Sequence, residues 1–164
     1  MRPEFSRPVQ LAHLPREGRS LRLEADAAER AALTRRFGLL ALHALSGELR
    51  LAPAPGGLVH VEGLLRAEVE QRCVISLEPV RQRVEEAVAW RLLPEGVEPS
   101  DGDADPDDIP SEAGVADLGE ALAQQLSLAL DPYPRAPGAT LPAEASDGGA
   151  HGPFAALAKL RPRE

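Results

Sequence analysis

Aromatic residues fill only 3% of this chain, so its core has to be built from Leu, Val and Ala. Cysteine occurs once, as Cys73, which excludes an intrachain disulfide and suits a reducing compartment. No apolar run approaches the roughly 20 residues that cross a bilayer, and the N-terminus lacks a signal-peptide core. The expectation is a soluble, cytoplasmic protein with no membrane partner. Basic residues are missing from Glu95–Glu112, which carries eight acidic ones. That segment accounts for the whole formal charge of −8, since eighteen acids and eighteen bases remain elsewhere. It would repel phosphate or attract a basic protein.

What is abundant is punctuation. Sixteen prolines and fourteen glycines in 164 residues imply one domain with extensive loops. The clearest pattern lies on either side of Gln71–Val80. Val59, Val61, Gly63, Leu65, Ala67 and Val69 occupy alternate positions before it, and Val80, Val84, Val88, Trp90 and Leu92 follow a looser alternation after it. A period of two places each set on one face of a strand. Two long strands joined through Cys73–Pro79 are therefore expected, with Pro79 limiting regular pairing.

Upstream, Phe5–Val9 and Ser20–Leu23 are candidate short strands. Asp26–Ala27–Ala28–Glu29 reads as a capping box that starts a helix running to about Phe37 and stopping at Gly38. Leu39, Ala41, His43, Leu45, Leu49 and Leu51 share one parity, which predicts a strand with a bulge at Gly47 and His43 on its apolar face. Pro53–Gly57 is a turn into the next strand, so successive strands should pair antiparallel. Downstream, Asp117 and Glu120 read as a second capping box. Leu118, Leu122, Leu126 and Leu130 then form the apolar face of a helix ended by Pro132 and Pro134. The expected fold is α+β: an antiparallel meander of about three to five strands with two main helices. Residues 1–135 form the domain, 94–116 an acidic loop, 136–152 a linker, and 153–164 a short amphipathic segment with a basic end.

Little of this pattern carries chemistry. Cys73 as a nucleophile would need a lowered pKa and a neighbouring base, and none of the four His stands in a catalytic signature. As a zinc ligand it lacks a partner, because position 76 is Ser. Asp101, Asp103, Asp105, Asp107 and Glu112 fall at calcium-loop positions, but Pro106 occupies the place that needs Gly. No metal, cofactor or catalytic residue is expected. Candidate partner contacts are Arg72, Arg81 and Arg83 around the bend, the tail residues Lys159, Arg161 and Arg163, and the acidic Asp101, Asp103, Asp105, Asp107 and Asp108.

Four stretches, taken together and in order, resemble the YceD family of bacterial proteins named for large ribosomal RNA subunit accumulation, especially its alphaproteobacterial branch. They are Phe5–Ser6–Arg7 with Ala28–Leu33; Gln71–Arg72–Cys73 followed by Leu77–Glu78–Pro79–Val80; Asp117–Leu118–Gly119–Glu120 with Leu126–Leu128 and Asp131–Pro132–Tyr133–Pro134; and Pro153–Phe154 through Leu160. The resemblance implies a non-catalytic role in accumulating large-subunit (23S) rRNA and assembling the large subunit. The expected partner is a ribosomal protein or a pre-large-subunit ribonucleoprotein, with any direct RNA contact secondary. Many relatives carry Cys-x-x-Cys at the bend, but Ser76 departs from that pattern, so no metal role is carried over. The alternative class is a small enzyme using Cys73 as a reactive thiol.

Overall fold

A computed structural model describes residues 3–100 and 106–141. The elements run in the order β1 (Pro8–Gln10), β2 (Arg19–Glu24), α1 (Ala27–Phe37), β3 (Ala41–Pro53), β4 (Val59–Arg72), β5 (Pro79–Leu93), β6 (Asp107–Pro110), β7 (Val115–Asp117) and α2 (Leu118–Ala129). The main sheet has the order β2-β3-β4-β5-β6. Its first four strands form the expected antiparallel meander. β6 joins parallel to β5, and β1 pairs with β7 in a separate small sheet. The fold is α+β.

The period-two pattern of β4 is realised directly, with Val59, Val61, Leu65, Ala67 and Val69 all buried. On β5 the same face presents Val80, Val88, Trp90 and Leu92. Both helices pack on that face. Leu33 of α1 is fully buried, and Leu118, Leu122 and Leu126 of α2 join the same core. The opposite face of the sheet stays open and carries charged side chains. There Arg66 lies 3.1 Å from Glu85, and Arg81 and Arg83 both pair with Glu68 at 2.7 and 3.3 Å.

Three local expectations need correction. The irregularity in β3 falls between Leu42 and Ala44, not at Gly47. It shifts the parity, so His43 turns out to the exposed surface and contacts Glu70 at 3.0 Å. Gly47 is buried for a different reason: a Cβ there would lie 2.9 Å from a δ carbon of Leu122. The second capping box is only half made. Asp117 accepts from the amides of Gly119 and Glu120, but the Glu120 carboxylate turns away to Arg36 at 2.7 Å. Finally, the acidic stretch contains structure. β6 lies within it, with Ile109 half-buried against the core and Asp108 paired to Arg91 at 2.6 Å. Among the described residues no helix is long and apolar enough to cross a membrane.

Candidate functional site

Most of the residues that made the sequence distinctive hold the N-terminus to the two helices. Phe5 is fully buried, and the Arg7 guanidinium lies 4.6 Å from its ring centroid. The same guanidinium makes two bonds to the Glu29 carboxylate, at 2.7 and 2.9 Å. Ser6 and the Arg7 amide both donate to Asp117, the N-cap of α2. Arg36 reaches both Glu4 and Glu120. Hydrogen bonding to Arg7 and Arg36 lowers the pKa of Glu29 and Glu120 respectively. Gly119 completes the arrangement, since a Cβ would stand 2.6 Å from the Phe5 carbonyl oxygen. These motif residues are accounted for by tertiary packing.

The bend between β4 and β5 is built differently. Pro79 begins β5 opposite Arg72, a place where its missing N–H is tolerated. The loop is closed by the Cys73 amide donating to the Glu78 carbonyl and the Leu77 amide donating to the Cys73 carbonyl, at 2.8 and 3.0 Å. Closing it forces Leu77 to φ 62°, a left-handed conformation that costs a non-Gly residue about 1–2 kcal/mol. Its side chain nevertheless points outward, 62% exposed.

Cys73 itself is fully buried. Its Sγ accepts from the amides of Ile75, Ser76 and Ala136 at 3.4, 3.3 and 3.2 Å. The Ala136 amide, then the Ser76 hydroxyl and amide, favour the thiolate and lower the thiol pKa to about 6. Amide donors converging on one sulfur favour its thiolate form. Among the described residues no cluster of three His, Cys, Asp or Glu is placed to hold a metal ion.

The chain segment after α2 covers this loop. Val74 donates to the Pro134 carbonyl at 2.9 Å, and Gln71 donates to the Asp131 carbonyl at 3.0 Å. Leu40 joins the same end by donating its amide to the Glu70 carbonyl. Seven large apolar side chains are exposed among the described residues. Leu40, Val74, Leu77 and Tyr133 lie on these segments, Leu128 in the last turn of α2 and Leu141 a few residues beyond, leaving Val97 elsewhere among the described residues. Arg72 and Arg135 flank them, both exposed and without an ion pair among the described residues. A local concentration of exposed apolar groups marks an interaction surface more reliably than scattered ones.

The other predicted site residues are dispersed. Arg81 and Arg83 lie on the open sheet face, sharing Glu68. Asp107 is exposed at the start of β6, whereas the Asp108 side chain is only 4% exposed and committed to Arg91. That arginine and the Ser100 amide and hydroxyl hold the Asp108 carboxyl well below the usual carboxylate range. Near it a groove of about 620 Å³ is lined by Asp108, Glu112, Asp117 and Glu120. Three of those carboxylates are already engaged, by Arg91, by the α2 cap and by Arg36. Asp101, Asp103, Asp105, Pro153, Phe154, Lys159, Arg161 and Arg163 lie outside the described residues. The sequence reading missed Leu128, Tyr133 and Arg135 as surface residues. The available signal was Tyr133 bracketed by Pro132 and Pro134, immediately after a helix that those prolines terminate.

A family model described as "Large ribosomal RNA subunit accumulation protein YceD" matches residues 61–161. The chain belongs to the YceD family. The matched stretch takes in β4, the Cys73 bend, β5, α2 and the segment that covers the bend. The family's name connects these proteins with accumulation of large-subunit rRNA, and it denotes no enzymatic reaction. No curated protein and no solved structure matches the chain.

Proposed function

We propose that this protein is a non-catalytic factor that supports 23S rRNA accumulation and large-subunit assembly by binding a ribosomal protein or pre-ribosomal particle in the cytoplasm. The observation that carries the reading is the end surface of Val74, Leu77, Leu128 and Tyr133 beside Arg72 and Arg135, in a member of the YceD family. Apolar and aromatic side chains with flanking Arg are the usual composition of protein contact centres. Naked RNA is the less fitting first partner. Phosphate binding rests on clustered basic groups, and here Arg81 and Arg83 are engaged with the carboxylate of Glu68 while the chain carries a formal charge of −8. Direct RNA contact through Arg72 is secondary. The exposed acidic groups, Asp107 among them, suit a basic protein on the same particle.

The lowered pKa of Cys73 is the one observation favouring a reactive thiol. Against it, the sulfur is fully buried and its stabilising contacts come from amides and a hydroxyl rather than from an imidazole base. The decisive experiment is removal of the gene followed by measurement of the large- to small-subunit rRNA ratio and subunit profiles. The expected result is a reduced ratio, restored by the wild-type gene and by Cys73→Ser but not by a Leu77→Asp/Tyr133→Asp double substitution. An unchanged ratio on removal overturns the assembly role. Restoration by the double substitution removes the end surface from it.

A further inference from the structure

β5 is flanked unequally. On one side β4 pairs with it from Pro79 to Leu92, with no bulge in the register. On the other side β6 pairs only with Trp90–Leu93. The outer edge of Pro79–Ala89 therefore has no strand beside it among the described residues, and that stretch makes no further backbone–backbone hydrogen bond there. At about 3.3 Å per residue the open edge is about 36 Å long. Every second residue turns its N–H and C=O outward, which makes such an edge a template for another strand.

The side chains on this edge fit a strand of one particular sequence, their own. The stretch runs Val80–Arg81–Gln82–Arg83–Val84–Glu85–Glu86–Ala87–Val88, with bases before Val84 and acids after it. Laid antiparallel on a second copy about Val84, it sets Arg83 opposite Glu85 of that copy on the open sheet face. On the helix-covered face Val80 meets Val88 of the second copy, and Gln82 meets Glu86. Directly opposed residues share a face and interact as pairs. A slip of two residues is the smallest that keeps the faces matched. It opposes Arg83 to Arg83 with Val80 to Glu86, or Glu85 to Glu85 with Gln82 to Val88. The other outer strand, β2, has six residues, and laid on itself about Arg22 it brings like charges together.

We propose that two copies of this chain form a two-fold dimer by pairing their Pro79–Ala89 edges antiparallel about Val84, joining two five-stranded sheets into one. The interface is isologous, as a closed two-fold requires. Backbone hydrogen bonds supply the affinity. Arg83 and Glu85, 88% and 66% exposed, set register more than energy. The dimer is a property of the purified chain and does not depend on the assembly role.

The test follows the full-length chain by sedimentation over a concentration series. The 17.5 kDa monomer should give way to a dimer, and amide exchange at residues 79–89 should slow as it does. Arg83→Glu and Glu85→Arg each alter an exposed side chain and each oppose like charges across the axis. Either variant alone should dissociate roughly tenfold more readily than wild type. An equimolar mixture of the two restores opposite charges at both positions, and its heterodimer should regain wild-type affinity within a few-fold. A chain still monomeric at about 1 mM overturns the proposal. So does a dimer indifferent to both substitutions, or a mixture no tighter than its components. Slow exchange at residues 79–89 at every dilution also overturns it, because the edge is then covered within one chain.

Discussion

The two ends of the long β4–β5 hairpin are made from opposite materials. At one end the strands are joined by the Cys73 bend, where a buried sulfur gathers three amides and apolar side chains face outward. At the other, Leu93 leads to the acidic stretch, where Asp108 is tied to Arg91 and to Ser100. Each end neutralises its charge locally, by backbone donors at Cys73 and by a guanidinium at Asp108. The difference lies in what remains outside: apolar groups with exposed Arg at the first end, carboxylates at the second. Surface composition, more than fold, separates the proposed contact surface from the solvated one in this molecule.

The largest effect should come from breaking the acidic end. Asp108→Ala removes the carboxylate that the Arg91 guanidinium meets at 2.6 Å and that accepts from the Ser100 amide and hydroxyl. The expected loss is about 2 kcal/mol, between the values for exposed and fully buried pairs. Urea unfolding measures it, and a loss within error would show that β6 is held by its backbone alone.

A pH scan should then distinguish the ends. The folded-state pKa of Cys73 is lowered to about 6 from an ordinary value of 9.0, so its contribution is complete above the ordinary value and lost as pH falls through about 6. The Asp108 pKa is also lowered, and its contribution is present above the ordinary carboxylate pKa of about 4 and lost at more acidic pH. The urea midpoint of the wild-type chain should fall between pH 9 and pH 6, then again below about pH 4. Cys73→Ala should abolish the first drop and keep the second. Persistence of both would remove the thiolate from the account.

A smaller change of opposite sign is expected at Leu77. Replacing it with Gly relieves the left-handed strain at φ 62° and removes a side chain that contributes little to the core. Stability should rise by about 1 kcal/mol while capture of the proposed ribosomal partner weakens. A loss of stability would mean that Leu77 packs within the protein. The smallest effect belongs to the open sheet face. Arg83, 88% exposed in its pair with Glu68, should tolerate Ala with no measurable change in urea midpoint.

Local chemistry was legible wherever the deciding neighbours lay within a few residues. Alternation in Val59–Val69 identified a half-buried strand, Asp26 with Glu29 identified a helix start, and Gly38 its left-handed end. The helix of Leu118, Leu122 and Leu126 was likewise visible in its period. These patterns determined the α+β class before any contact was known. The tertiary structure alone decided the pairings that join distant positions. Asp108 became a structural anchor because the parallel register sets it opposite Arg91, and His43 left the apolar face because a bulge reversed the parity that spacing implied. The candidate surface arose in the same way. Val74 meets Pro134 across sixty residues of chain, and Cys73 meets Ala136 across sixty-three. A sequence lists side chains in order along one dimension, whereas burial and hydrogen bonding depend on which remote segments the folded backbone brings within a few ångströms.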